Sequence, residues 1–276
     1  MSPLSNDVYC DALRVCGVKN CDLVLVQSDL RRIGPVESAT GRQDYLNFYI
    51  KGLMDVAGTD VTIATATGNG NYARYSEPFI IEKTPSELGV LSEHIRKMKD
   101  AVRSIHPLVS VAAVGPRAQE LCGGDHYNGF GYASPWGRLH RNDALIVTLG
   151  LGCADGGLTF LHYIENLYGV PYQYTKVYDV PVYKDNVAID GVFTLSVRYL
   201  KFSIEESVSQ FKSDLLEAGI ARMQPLGNAW IWTCRARLMV EFAFSKLEKN
   251  RYYFLAHEPR FVKGEIPFDG PTAGRT

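Results

Sequence analysis

No sign of charge dominates this chain: 29 lysines and arginines stand against 30 aspartates and glutamates in 276 residues, a formal net charge of -1. A nucleic-acid platform needs a basic surplus, so that class of partner is excluded. Long apolar runs are missing as well. The longest lies near Ala144–Gly152, far short of the ~20 residues a membrane helix requires, and no membrane partner is expected. The first twenty residues carry no basic start followed by an apolar core, so no secretory signal is visible and a cytoplasmic protein is expected. Cysteine is sparse: Cys10, Cys16, Cys21, Cys122, Cys153 and Cys234 form no CxxC pair and fit no Cys/His zinc spacing. Reduced thiols and no bound metal are the expectation. There is no internal repeat, long linker or low-complexity tract.

What is present fits a layered α/β protein. Hydrophobic residues make up 46%, and the 25 glycines and 13 prolines follow no period, which excludes a disordered or collagen-like chain. A chain of this length buries about three quarters of its unfolded surface and needs no staple to hold a core. Asp22-Leu-Val-Leu-Val-Gln27, 61–66, 109–114 and 144–151 are apolar runs of buried-strand length. A helix is predicted over 42–57, with Leu46, Tyr49, Leu53 and Val56 on one face and a stop at Gly58. Thr84-Pro-Ser-Glu87 reads as a capping box opening a helix with Leu88, Leu91, Ile95 and Met98 inward. Ser203-Ile-Glu-Glu206 reads as a second, opening a helix with Val208, Phe211 and Leu215. A helix over 158–168 ends at Gly169, 192–200 is β-rich, and strand, helix and strand follow at 229–234, 237–249 and 252–256. Buried strands alternating with helices predict an α/β fold with helices on both sheet faces, in a single domain spanning 1–276.

Reactive groups concentrate in three segments. In Arg103-Ser-Ile-His-Pro-Leu-Val-Ser110, Pro107 holds His106 extended at a helix-to-strand junction, where a structural turn histidine is the plainer reading. Tyr127-Asn-Gly-Phe-Gly-Tyr-Ala-Ser-Pro-Trp136 is a loop whose glycines let backbone approach a flat ligand, or equally a packed surface loop. In Gly150-Leu-Gly-Cys-Ala-Asp-Gly-Gly-Leu-Thr-Phe-Leu-His162-Tyr-Ile-Glu165 a buried strand empties into a Gly-rich turn and then a helix. That is where α/β proteins bind ligands. Thr159, His162, Glu165 and Asn166 share a helix face there, and His162 has the ordinary pKa of a neutral base. Its place early in the helix is expected to disfavour the charged form. Cys153 near Asp155 and His162 raises a thiol-hydrolase reading, although no cysteine-protease signature is present. The turn lacks the Gly-Lys-Ser/Thr ending of a P-loop.

Taken together the motifs resemble the aminoglycoside 3-N-acetyltransferase (antibiotic N-acetyltransferase) family. Their order is Gly17-Val-Lys-Asn-Cys-Asp22, Leu25-Val-Gln-Ser-Asp-Leu30, Ile33-Gly-Pro35, Thr84-Pro-Ser-Glu-Leu-Gly-Val-Leu-Ser-Glu93 and Arg103-Ser-Ile-His-Pro-Leu-Val-Ser110. Ala113-Val-Gly-Pro116, Gly131-Tyr-Ala-Ser-Pro135, and Thr159-Phe-Leu-His-Tyr-Ile-Glu165 with Val170-Pro171 complete the set. The likeness runs from about residue 11 to 175, with 175–276 the less family-like part.

The resemblance implies a three-layer α-β-α sandwich with a mixed sheet, acetyl-CoA as donor and a small-molecule amine as acceptor, with homodimerisation left open. It places the catalytic histidine on His162, with Glu165 as nearby carboxylate. Glu165 or Asp155 would orient the imidazole while the amine attacks the thioester in a ternary complex. It makes Ser28, Asp29, Leu30, His106, Pro107, Ser110 and Ser134 pieces of the CoA cleft. Three departures stand out. Gln27 replaces a histidine that many members carry, the turn 151–157 is expanded, and Arg198 and Lys201 stand where an acidic stretch often faces a polycationic drug. A less cationic amine, such as an amino sugar, suits that charge pattern better. The departures also motivate an alternative, a non-catalytic CoA- or ligand-binding member of the same fold.

Overall fold

The computed structural model describes residues 3–37 and 39–262. Seven strands form one sheet in the order Ala221–Leu226, Ala229–Arg235, Leu145–Leu149, Leu23–Ser28, Thr62–Ala66, Val111–Val114, Val102–Arg103. Leu145–Leu149, Leu23–Ser28 and Thr62–Ala66 run parallel at its centre. Both flanks pair antiparallel, so the sheet is mixed.

The central strands read as unbroken apolar runs because both of their faces are covered. Alternation along Leu23–Ser28 sends Leu23 and Leu25 to one core and Val24 and Val26 to the other. On the first face pack helices Pro135–Arg141, Phe160–Tyr168 and Ala236–Leu247, through Trp136, Phe160 and Met239. On the second lie Asn6–Val15, Arg42–Ala57 and Val90–Arg96, through Leu13, Leu53 and Ile95. The expected α-β-α sandwich is the fold. Outside the sheet, Gln173–Tyr178 and Phe193–Arg198 make an antiparallel pair, tied back where the Gly129 N–H donates to the Thr194 carbonyl (2.8 Å).

Three local expectations fail, each because a tertiary partner outbids a local pattern. Neither capping box opens a helix. Beyond the first, the helix starts only at Val90: Glu87 accepts the Gly70 N–H (2.8 Å), and Glu93 accepts the Ser86 N–H (2.8 Å) and binds Arg96. Beyond the second it starts at Ser209, and Glu206 turns to His162 instead. The segment 252–256 is a run of turns, bridged at Leu255 to Glu206, and its buried Phe254 packs edge-on against Phe211 (5.0 Å between centroids). The helix Pro135–Arg141 was not foreseen in the aromatic loop. Ser134 caps it, and Pro135 starts it.

Lys212, on the helix Ser209–Glu217, is fully buried beneath the turn that follows Leu149. Its ammonium donates to the carbonyls of Gly152 (2.6 Å) and Leu151 (3.4 Å) and lies 5.2 Å from the centroid of the Trp232 ring. Burial draws its pKa down to about 8. A charged donor on two successive carbonyls pins the turn from below.

Two substitutions check this packing. A Cβ at Gly52 would stand 2.5 Å from Cε1 of the buried Tyr9. Alanine gains ~1 kcal/mol of helix propensity there, and overpacking costs ~1–3 kcal/mol. Gly52→Ala is therefore expected to lower Tm, and a rise would show that the two helices part without cost. Lys212→Met strips the charged donor from the Gly152 carbonyl and should lose about 1–3 kcal/mol, read as a lower midpoint in chemical denaturation.

Candidate active site

The site forms where the parallel strands end. After Leu149 the chain turns at Gly150, whose φ of +82° and close approach to the Asp29 carbonyl leave no room for a side chain. Asp155 folds the turn that follows: one oxygen accepts the Gly152 N–H (2.8 Å) and the other binds Arg32. Gln27, near the end of the central strand, clamps the helix entry. Its amide donates to Thr159 Oγ1 (2.6 Å) and accepts the Thr159 N–H (3.2 Å). This sets the start of Phe160–Tyr168 against the strand Leu23–Ser28, the position at which strand order reverses across the sheet.

His162 lies in the first turn of that helix with its side chain 37% exposed. Its Nδ1 stands 3.0 Å from Glu165 Oε2 and 3.8 Å from Glu206 Oε1. Glu165 is fully buried. Its other oxygen accepts the Tyr172 hydroxyl (2.7 Å), and Oε2 also accepts the Gln173 amide (2.9 Å). With Nδ1–H donated to Glu165, the neutral ring carries its lone pair on Nε2.

Burial disfavours the imidazolium, but the hydrogen bond and charge of Glu165, joined by the charge of Glu206, outweigh it and raise His162 to about 9; Arg198 opposes them weakly. The expectation that the helix start would keep His162 uncharged is thus overturned. A helix terminus is worth ~0.3–1 kcal/mol, less than two carboxylates at hydrogen-bonding and near-contact range. His162, Glu165 and Glu206 are also the group among the described residues whose donor atoms converge closely enough to hold a cation, within 4.8 Å. Both oxygens of Glu165 are already taken by Tyr172, Gln173 and His162, so the carboxylates are organised around the imidazole proton.

Two cavities, each of about 420 Å³, meet at His162 and Glu206. One is walled by the pair Gln173–Tyr178 and Phe193–Arg198 and by Phe130. The other lies between the turn 154–159 and Ser207, Val208 and Ser209. One nitrogen base thus stands between two spaces, an arrangement suited to moving a proton as two ligands react.

The structure brings His162 and Glu165 together as expected. Asp155 lines the turn-side cavity, but its hydrogen bonds go to Arg32 and the turn rather than to His162. Ser28, Asp29 and Leu30 follow the central strand and line neither cavity; Asp29 pairs with Arg31 and Arg32, and Leu30 is buried. His106, Ser110 and Ser134 are buried in the framework. His106 Nε2 meets the Thr194 carbonyl (3.1 Å), and burial pushes its pKa down to about 3. The Pro107 carbonyl accepts the Asn69 N–H (3.0 Å), and Ser110 bonds Thr67 Oγ1 (3.1 Å). Ser134 Oγ accepts the Gly137 N–H (3.3 Å) and donates to the Gly131 carbonyl (2.6 Å). The described hydrogen bond of the Cys153 thiol goes to the Met223 thioether (4.0 Å), not to His162 or Asp155. Glu206, Tyr172 and Gln173 went unforeseen. Tyr172 and Gln173 directly follow Val170-Pro171, whereas no local signal sets Glu206 beside His162.

The chain matches the family model described as aminoglycoside 3-N-acetyltransferase over residues 25–248. It is 27% identical over 252 residues to aminoglycoside N(3)-acetyltransferase IV of Salmonella sp, covering 88% of this chain and 87% of that one. It is 29% identical over 267 residues to aminoglycoside N(3)-acetyltransferase III of Salmonella sp, covering 87% and 90%. Among solved structures, the apoenzyme of aminoglycoside acetyltransferase AAC(3)-IVa superposes with a TM-score of 0.74 at 23% identity, covering 94% of this chain and 93% of that one. AAC-IIIb in a binary complex with CoASH superposes with a TM-score of 0.73 at 20% identity, covering 94% and 100%. AAC-VIa bound to sisomicin does so with a TM-score of 0.73 at 21% identity, covering 90% and 98%. With the sandwich and the ordered motifs in place, this match assigns the chain to the aminoglycoside 3-N-acetyltransferase family, a family of acyltransferases.

Proposed function

We propose that the protein transfers an acetyl group from acetyl-CoA to the amine of an aminoglycoside-like or amino-sugar acceptor. His162 is the general base of a direct transfer within one ternary complex, and the chain works as one catalytic domain. The observation that carries this reading is the imidazole itself: Nδ1 held by the buried Glu165, at the junction of two cavities. That AAC-IIIb binds CoASH and AAC-VIa binds sisomicin supports pairing a CoA donor with an amine acceptor. The turn-side cavity suits the donor. No described residue lies within 4 Å of a Cβ built on Gly156, so a narrow pantetheine arm can run along bare backbone there.

In the transfer the amine nitrogen attacks the thioester carbonyl carbon and yields a proton to His162 Nε2. The carbon–sulfur bond then breaks, and the imidazolium returns the proton to the departing thiolate. Glu165 stabilises the imidazolium formed in between. An amine at neutral pH is mostly ammonium, so its first proton goes to solvent before the free amine attacks, and His162 takes only the second, released on attack.

His162→Ala is expected to lower kcat by about 10²–10⁴-fold in a thiol-release assay. Turnover at the wild-type rate would sink the proposal, and CoA-dependent thermal stabilisation without turnover by the wild type would favour the non-catalytic alternative. The neutral imidazole is the active form, so kcat/KM should climb with pH towards a limb near 9. Glu165→Gln, or the milder Glu206→Gln, removes a carboxylate that raises His162, and the limb should move to lower pH. The acceptor's own ionisation stays in place in both variants, so an unmoved limb would assign it to the substrate instead.

Residues 28–30, His106, Pro107, Ser110 and Ser134 are proposed to contribute to the CoA cleft as framework, since the side chains of His106, Ser110 and Ser134 are buried and hydrogen-bonded within the protein. Ser134→Ala should then cost about 0.5–2 kcal/mol of stability through the lost cap and leave KM for acetyl-CoA unchanged. A KM that rises severalfold would put the hydroxyl on the donor.

A further inference from the structure

We infer that the Thr159 hydroxyl is a side-chain donor that holds the oxyanion formed when the amine attacks the thioester. The inference rests on the acetyl-transfer reading above and adds a catalytic residue to that site.

The direction of two hydrogen bonds carries it. Gln27 meets Thr159 twice, and a backbone N–H can only donate, so the end of the amide that faces the Thr159 N–H is Oε1 (3.2 Å). The other end is then the NH2 group, which also can only donate, and Thr159 Oγ1 receives it (2.6 Å). The hydroxyl is thus held as an acceptor, and its single proton is left to donate elsewhere. No group among the described residues takes that proton, and Oγ1 does not cap its own helix. Thr159 is half-buried and lines the turn-side cavity together with His162. A hydroxyl fixed by its acceptor side, with its donor unspent in the cavity assigned to acetyl-CoA, calls for a ligand oxygen.

Its place fits the reacting carbonyl. Thr159 caps the helix Phe160–Tyr168 in helical conformation, and its carbonyl accepts the His162 N–H (3.1 Å). A spacing of three therefore sets the two side chains on one face, with roughly 5–6 Å between such Cβ atoms. On attack a bond forms between the amine nitrogen and the carbonyl carbon, and the π pair of the carbonyl moves onto oxygen. The nitrogen yields its proton to His162 Nε2, so the carbonyl stands beside the imidazole and within reach of the neighbouring hydroxyl. Thr159 donates a hydrogen bond to the oxyanion and keeps its proton. When the double bond re-forms, the carbon–sulfur pair leaves on sulfur, and the imidazolium protonates the thiolate. Of the hydroxyls lining this cavity, those of Thr159, Ser207 and Ser209, it is the one a single turn from His162. Because Gln27 orients it before the donor arrives, it needs no reorganisation as charge develops, the condition under which such a donor is worth most.

Thiol release from acetyl-CoA with an accepted amine tests the assignment. Thr159→Val removes the hydroxyl and keeps the branched side chain. It is expected to lower kcat by about 10²–10³-fold while KM for acetyl-CoA and the pH limb stay in place. Thr159→Ser keeps the hydroxyl and should recover most of the loss. Gln27→Glu is an independent variant: its carboxylate still accepts the Thr159 N–H but has no proton to give, so it captures the proton of the hydroxyl. There kcat should fall by about tenfold or more, and this variant decides alone if Thr159→Val does not fold. Wild-type kcat in Thr159→Val or Gln27→Glu, a loss carried by KM, or Thr159→Ser as slow as Thr159→Val would overturn the inference and leave acetyl transfer standing. Infrared difference spectra of acetyl-CoA carrying carbon-13 at the thioester carbonyl, bound to the full chain without acceptor, need no turnover. A donated hydrogen bond weakens the C=O bond, so the stretch should lie lower on the wild type than on Thr159→Val. If the wild type turns over no amine, the acetyl-transfer reading falls; a stretch that still differs keeps the Thr159 contact, and equal stretches remove it as well.

Discussion

Glu165 is a carboxylate with no access to water, and the site is arranged around that constraint. An ionised carboxylate taken out of water and left unpaired costs several kcal/mol, so its partners must all be in place. They come from two stretches of chain: His162 one helical turn before it, and Tyr172 and Gln173 just beyond Val170-Pro171. Meeting the demand of one buried side chain therefore fixes the ring orientation of His162, the exit from the helix and the first residue of the strand Gln173–Tyr178. The hairpin that walls one cavity is anchored to the group that orients His162.

The same carboxylate settles a contest over the charge of His162. Burial and the positive end of the helix both act against protonation, and the pair Glu165 and Glu206 act for it and prevail. The outcome is a strong base rather than a permanently neutral one. Arg198 opposes that pair from the far side of Glu206, so the base and the cation that lines the cavity share a carboxylate. The charges of His162 and Arg198 are for this reason coupled through Glu206.

Much of the architecture was legible from local pattern. The apolar runs at 23–26, 62–66 and 145–149 are unbroken because sheet faces are covered on both sides, and each is a strand. The helix 42–57 was readable to the residue, since its inward face repeats and Gly58 ends it. His162 and Glu165 stood out because a spacing of three puts them on one helix face. Patterns failed where a carboxylate had a better distant partner: Glu87 and Glu206 both sit in sequences that read as helix caps, and neither is one. His106 and Ser110 look reactive in sequence and are buried framework in space.

Contacts between near neighbours along the chain need only backbone geometry, so strand runs, helix faces, the Gly-rich turn and the His162–Glu165 pair follow from the order of residues alone. Glu206, Arg198 and Lys176 reach the cavity through chain pairings far apart in sequence, among them the register of Arg198 with Gln173 and the bridge from Glu206 to Leu255. No local period encodes such pairings, because they are set by which surfaces the whole chain can bury together. The His162–Glu165 pair was therefore written in the sequence, and the surroundings that tune the charge of the imidazole were decided by packing.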